Sequence, residues 1–538
     1  MVWTAIPWVA AALWLQGAAE FVQPGRIEGR VVDALSAEPL ARARLYLSRA
    51  GGREASYGAA SDADGRFAFE NVQPGAYTLS AEKVGYLRQG AATRGPGSAA
   101  QIVKLAAGQE LTGLLVKLMP QAVVSGRILD EEGEPLPHIG VTVLRQGYGE
   151  NGRRLVPVGY AEANDLGEYR VAQLPPGRYY VLAYFRGWMP IRVLGAPGGR
   201  AQALAPTFYP SAPEEASATP VELAAGQEVG GFDIRMRRTF LYRVSGRLVA
   251  AGVPPAARGR VIVLMPRGRW SASGLDLVSK SAVAEQENFE IRDVPPGSYL
   301  LTVASGERSG APLARQPVEV TNGDVEGLIV TLSPPVEVRG VVRLEGAAKV
   351  DLRGVRVSLS VPGLRFAQVR GQAQGDGSFR LGPVVRDSYE VLVSNLPEGT
   401  YLKAIRLAGQ DVLGRAADLV PGAQLEIVLA AGAAQIEGLV ETEAGEAATA
   451  CTVTLVPDPP QPARPDLYKN ATCEDGGRFR LTSVSPGAYK LYAWESLEPW
   501  AERDPDFLRQ YQSQAASVQL SAGGREQLRL RRIASAPR

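Results

Sequence analysis

One pattern, repeated five times, constrains this chain more than any other feature. Each copy opens on a short alternating run around a glycine: Ile27-Glu-Gly29-Arg-Val31, Val124-Ser-Gly126-Arg-Ile128, Val244-Ser-Gly246-Arg-Leu248, Val338-Arg-Gly340-Val-Val342 and Ile436-Glu-Gly438-Leu-Val440. Those glycines are spaced 97, 120, 94 and 98 residues apart. A second block follows: Asp64-Gly65-Arg-Phe67, Leu166-Gly167-Glu-Tyr169, the degenerate Glu287-Asn288-Phe289, Asp376-Gly377-Ser-Phe379 and Gly476-Gly477-Arg-Phe479. The third block is Pro74-Gly75-Ala-Tyr77, Pro176-Gly177-Arg-Tyr179, Pro296-Gly297-Ser-Tyr299, the altered Arg386-Asp387-Ser-Tyr389 and Pro486-Gly487-Ala-Tyr489.

The blocks read directly as structure. Runs such as Phe67-Ala-Phe69 and Tyr77-Thr-Leu79-Ser-Ala81 put apolar side chains on one face of a strand. Asp-Gly supplies the positive φ of a tight hairpin, and Pro-Gly makes the next sharp turn. The tyrosine after Pro-Gly can bury its ring while its hydroxyl bonds backbone, as corner tyrosines do in β-sandwiches. Strand signals recur with almost no helical periodicity, so about seven short strands per copy predict a small two-sheet sandwich. Gly (60) and Pro (39) are enriched, as so many turns require. The expected architecture is all-β: five tandem prealbumin-like β-sandwich domains in an elongated array, at residues 24–120, 121–238, 239–333, 334–430 and 431–533.

The order Gly29-Arg-Val-Val-Asp…Pro-Leu…Asp-Gly-Arg-Phe67…Pro-Gly-Ala-Tyr77 resembles the carboxypeptidase regulatory-like domain, a family related to transthyretin-like and collagen-adhesin B-type sandwiches. Copy two, from Gly126-Arg-Ile-Leu-Asp to Val143, carries the same pattern. The resemblance extends over nearly all of residues 24–533, with copies three and four departing at the Asp-Gly and Pro-Gly turns. It implies a non-catalytic accessory, adhesive or carbohydrate-binding module of exported proteins, and it carries no catalytic residues over. Collagen-adhesin B-type domains often hold a Lys-Asn crosslink, but the five first strands offer Arg or Val where its lysine would stand, so none is expected.

Residue chemistry narrows the function further. Fifty-eight basic against 56 acidic residues leave a net charge of +2, which gives nucleic acid no basic field to bind. The single histidine, His138, sits in the Pro135-Leu-Pro-His turn and reads as a solvated loop residue. Gly147-Tyr-Gly149-Glu-Asn-Gly152 has the letters of a dinucleotide fingerprint, but an extended stretch follows instead of the helix that would hold a phosphate. It reads as a hairpin tip. Asp62, Asp64, Asn164, Asp165, Asp376, Glu474 and Asp475 recur at one hairpin; turn formation explains them, with calcium as the lesser alternative. No catalytic residue, cofactor or metal site is expected.

Cys451 and Cys473 fall in copy five on segments that are neighbours in a sandwich, and in an exported chain they predict a disulfide. Aromatic faces can stack on sugar rings, and Tyr184, Trp188, Trp494 and Trp500 are the candidate glycan platform. Two insertions interrupt the repeat, residues 187–220 in copy two and Trp500–Ala516 in copy five, the latter with a segment able to form one short helix. Insertions on a rigid sandwich are where binding specificity resides.

Residues 2–15 carry no charge and lead to Gly17 and Ala19, which fit a signal-peptidase site, although no Lys or Arg precedes Arg26. Residues 1–19 are therefore read as a signal peptide, and no apolar run of 18 residues follows to span a membrane. The chain is expected to be exported, whether periplasmic, cell-surface or extracellular. Its expected role is a non-enzymatic structural, adhesion or scaffold protein; the alternative is a carbohydrate-binding protein of the cell envelope. A glycan or a cell-surface protein is the expected partner.

Overall fold

Five first strands, each bent around its glycine, organise the molecule. The computed structural model describes residues 23–49, 56–89, 101–149, 152–185, 192–193, 200–250, 252–253, 260–267, 280–284, 287–305, 312–346, 350–362, 364–419, 422–448 and 451–534. The expected signal peptide and Trp188 lie outside the described residues. By contacts the chain divides into two units, residues 1–120 and 121–538. The first unit holds copy one and the second holds copies two to five.

In the first unit, strand Gly25–Asp33 is central to a three-stranded sheet, antiparallel to Arg66–Val72 and parallel to Glu110–Leu118. A four-stranded sheet made of Ser56–Ala60, Arg44–Arg49, Gly75–Glu82 and Gln101–Leu105 supplies the other layer. Between them lie Ile27, Leu45, Leu47, Phe69, Tyr77 and Leu118, all buried. The second unit repeats this plan, with separate cores spanning Ala122–Met236, Tyr242–Leu332, Val338–Leu429 and Ala434–Ile533. Copy five departs from it. Its closing strand Arg525–Ile533 bridges to Gly487–Trp494, so both layers join into one seven-stranded sheet.

The repeated glycine has a geometric cause. In every copy it lies directly across from the aromatic of the second block: Gly29 from Phe67, Gly126 from Tyr169, Gly246 from Phe289, Gly340 from Phe379 and Gly438 from Phe479. A methyl group at any of the five would run into a carbonyl oxygen of the closing strand, that of Leu114, Phe232, Leu328, Leu425 or Leu528. At Gly29, Gly340 and Gly438 it would also press into the phenylalanine ring. The ring takes the place of the missing side chain, an arrangement that pins strand register.

The tyrosine landmarks act as corners. The hydroxyls of Tyr77, Tyr179, Tyr299, Tyr389 and Tyr489 each donate to the carbonyl four residues back, on Gln73, Pro175, Pro295, Val385 and Ser485, at 2.6–3.2 Å. Copy four keeps this bond although Arg386-Asp387 replaces Pro-Gly, and copy three keeps its glycine–aromatic pair without an Asp-Gly turn. In the regular turns the acidic side chain does the folding work. Asp62 Oδ1 accepts from the Asp64 and Arg66 amides at 3.0 and 2.8 Å, with Gly65 at φ 74°. Asn164 and Asp376 bond their own turns in the same way, so these oxygens are turned toward backbone.

Two expected outcomes follow from this framework. Gly438→Ala should destabilise copy five by about 1–3 kcal/mol through overpacking, read as an earlier urea transition in Trp fluorescence; an unchanged transition would contradict the close approach. Burial pushes the Tyr489 hydroxyl up to about 12, and those of Tyr169 and Tyr299 up as well. An unfolded tyrosine releases its proton near pH 10, so the buried rings' contribution is complete below about pH 10 and fades as pH rises toward 12. Tyrosinate absorbance should then develop in two stages, the second with loss of the far-ultraviolet β signal. One stage near pH 10 with the β signal intact would refute this.

Candidate functional site

The insertions are where the copies stop being alike. In copy two the strands Gly140–Gly149 and Gly152–Glu162 form a long hairpin with Gly149 paired to Gly152. The glycine-rich letters are thus its tip, followed by a strand. The described part of the copy-two insertion folds over the outer face of this sheet. There Leu144, Leu155, Tyr180, Leu182, Tyr184 and Phe208 form a second small core.

In copy five the insertion forms the expected short helix, Pro505–Arg509. Proline at its start suits the helix N-terminus, and Asp504 caps it by accepting from the Phe507 amide at 2.9 Å. Phe507 and Tyr511 lie over Trp494, with ring centroids 5.4 and 5.0 Å away, and Tyr492 stacks on it at 5.4 Å.

The copy-two hairpin meets the copy-five insertion and the residues just before it. Arg145 on the copy-two hairpin grips Glu498 with two parallel bonds of 2.8 Å, and both side chains are nearly buried. Arg153 Nε donates to Asp504 at 2.8 Å, and Tyr148 packs edge-on against Phe507 at 5.5 Å. Burial opposes the Asp504 charge, but the Arg153 bond and the Phe507 amide outweigh it and hold the carboxyl below the usual range. Bidentate arginine–carboxylate pairs of this kind fix geometry as well as adding energy. Nothing in the repeat pattern signals a contact between residues some 350 positions apart.

Where this junction meets copy four, a cleft of about 920 Å³ opens. Tyr148 comes from copy two, the Glu390–Ser394 stretch and Arg415 from copy four, and Lys469, Trp500 and Arg503 from copy five. Arg503 lies against two rings, 4.5 Å from the centroid of Trp500 and 5.5 Å from that of Tyr468. Trp500 adopts φ 74°, a costly conformation for a bulky residue. Burial lowers the Lys469 ammonium from its ordinary range while Asp466 pulls it back up. Asp466 is itself held by Arg464 through bonds of 2.8 and 2.7 Å. The wall therefore combines one desolvated lysine and an arginine stacked on aromatic faces, while the carboxylates of Asp466 and Asp504 are already paired with Arg464 and Arg153, an arrangement suited to an anionic ligand with an apolar side.

The candidate glycan residues fare unequally. Trp494 is 2% exposed and Tyr184 7% exposed, so neither ring face is open to a sugar. Trp500 alone among the described three faces a cleft. Sequence reading missed Lys469 as a cleft residue, because it lies some 30 positions from Trp500 and reaches the same wall only through the fold of copy five. Cys451 and Cys473 are joined as a disulfide, with Cα atoms 5.1 Å apart. His138 sits in an exposed turn, Nδ1 3.2 Å from Glu162.

Residues 26–114 match the carboxypeptidase regulatory-like domain. The regulatory-like match coincides with copy one, whose landmarks recur in the other four. No curated protein matches by sequence. Among solved structures the chain is similar to the TIE protein of Bacillus anthracis, at 10% identity over 73% of this chain and 68% of that one, TM-score 0.17. It is also similar to a variant of the major pilin subunit of Bacillus cereus, at 8% identity, covering 95% and 99%, TM-score 0.16. A third is a pair of B repeat units from the collagen-binding protein of Staphylococcus aureus, at 10% identity, covering 76% and 100%, TM-score 0.14.

Arg145→Ala should leave Glu498 buried without its partner, at a cost of about 3–5 kcal/mol. Hydrogen exchange should then rise in both the hairpin, residues 145–156, and the insertion, residues 498–511. Unchanged exchange in either segment would show that the pair does not hold the junction.

Proposed function

We propose that the chain is an exported, non-enzymatic scaffold built of five regulatory-like sandwich units with boundaries at 24–120, 121–238, 239–333, 334–430 and 431–533. One observation carries this reading: the recurring glycine, aromatic and tyrosine residues are all engaged in holding the sandwich itself. What distinguishes one copy from another lies in the hairpins and insertions, and the copy-two hairpin and the copy-five insertion converge on the cleft. Such a chain presents a binding surface on a rigid frame, which is how loops on stable scaffolds gain specificity. The buried disulfide suits an oxidising compartment, in keeping with residues 1–19 as an export signal.

Trp500 beside Lys469 and Arg503 favours a second reading, an acidic glycan as the ligand of that cleft. A pyranose would lay its C–H face on the indole while its carboxylate meets the two cations.

Expression in a secreting host followed by intact-mass analysis checks the first reading. The expected mature protein begins at Glu20, and retention of residues 1–19 would argue against export by this signal. A glycan array probes the second. Binding to uronate-containing glycans should fall at least about tenfold in Trp500→Ala, and no signal above background for the parent protein would eliminate the glycan reading while leaving the scaffold intact.

A further inference from the structure

The closing strand of each copy is parallel to the first strand on one side, which leaves its other side to be covered. Two copies cover it from their own chain and a third pairs at its end. In copy two, backbone and side chain of the insertion reach it: Arg235 N donates to the Pro210 carbonyl at 3.0 Å and Ser211 Oγ to the Arg235 carbonyl at 2.9 Å. In copy four an extra strand, Thr400–Leu407, pairs antiparallel along the whole of Gln424–Ala431. In copy five the last two residues of the closing strand, Arg532 and Ile533, pair with Ala493 and Trp494. Among the described residues copy three has only an end contact, Ser333 N donating to the Leu313 carbonyl at 2.9 Å. Its three-stranded sheet ends at Val325–Leu332, and among the described residues no strand pairs with the free side of that strand.

Side chains at equivalent positions follow the same division. Gly246 pairs with Leu328, as Gly340 pairs with Leu425 and Gly438 with Leu528, so the next residue outward is Ile329, Glu426 or Arg529. The corresponding residue of copy two is Asp233. Three copies thus place a charge on the outer face, and copy three places an isoleucine that is 59% exposed. Beside it lies a concavity of about 720 Å³ in which Phe289, Leu328 and Ile329 are flanked by Arg247, Asn288 and Glu290. In copy four the residue facing Glu426 across the ladder is Arg406, 3.4 Å away, so the chain's own extra strand matches charge with charge.

We propose that the free edge of Val325–Leu332 in copy three is a strand-addition site that accepts an extended peptide, antiparallel, with an apolar residue opposite Ile329. Copy four supplies the pattern for the occupant, because Thr400–Leu407 is such a segment in place on the equivalent strand. An unpaired edge offers a row of backbone donors and acceptors, and an added strand completes them while alternate side chains read the flanking surface. Copy one has the same open edge at Glu110–Leu118 with Leu115 49% exposed, but its Lys117 stands where copy three has Thr331, a charge that discourages pairing, whereas the charge on copy three's strand, Glu326, is paired with Arg243.

Two fluorescent peptides with the sequence of residues 400–407, one unaltered and one carrying Arg406→Val, test this on the full chain. The valine peptide should bind with roughly two- to five-fold higher affinity, the range of a matched cross-strand pair, and should slow amide exchange in residues 325–332. Ile329→Lys and Ile329→Thr, both at an exposed position, should each weaken its binding with the far-ultraviolet spectrum unchanged. Absence of anisotropy change up to about 1 mM peptide overturns the proposal. So does protection confined to residues 424–431, which would mean exchange with the resident strand. Concentration-dependent dimers that Ile329→Lys abolishes, with no peptide binding, would assign the edge to a second copy of the chain and equally overturn it.

Discussion

A missing side chain holds each repeat together. At Gly29, Gly126, Gly246, Gly340 and Gly438 the first strand comes so close to the carbonyl of the closing strand that a Cβ has no room. The ring of Phe67, Tyr169, Phe289, Phe379 or Phe479 sits across from the gap. Because side chains alternate with a period of two, fixing this one pair sets which face of both neighbouring strands is buried. The tyrosine corner then ties the following strand to its turn, and the core closes between the sheets. Turn chemistry is secondary to this arrangement, which is why copy three survives a degenerate Asp-Gly block and copy four an altered Pro-Gly block.

The same economy explains where specificity can reside. Residues that recur are occupied with the fold, so chemical difference between copies is left to insertions and edges. In the second unit the hairpin of copy two is locked to the insertion of copy five by Arg145–Glu498 and Arg153–Asp504, and the cleft beside them gathers Lys469, Trp500 and Arg503. A buried ion pair is a modest source of stability but a strict one of geometry, since either partner alone is an uncompensated charge. That strictness suits a junction that must hold a cleft at fixed width.

The landmark blocks made the sandwich legible because they encode local geometry: a positive φ, a sharp turn, a period-two strand. The disulfide was legible for a related reason, since Cys451 and Cys473 lie on adjacent strand ends of one copy. The short helix after Trp500 could be read from its own residues, with Asp504 and Pro505 at its start. The aromatic platforms were read less well. Trp494 and Tyr184 look like exposed rings at strand ends, yet Phe507, Tyr511 and Phe208 cover them, and no local pattern announces which ring an insertion will fold over.

By itself, then, the chain's sequence determined the all-β class, the repeating sandwich plan and the covalent staple of copy five, because each rests on contacts within about a hundred residues and on backbone rules that any such segment obeys. Which copies dock on one another, which aromatic stays open and which sheet edge is left uncovered were decided only in the tertiary structure. Those outcomes depend on surfaces meeting across hundreds of residues, where shape and charge complementarity leave no periodic trace in the chain.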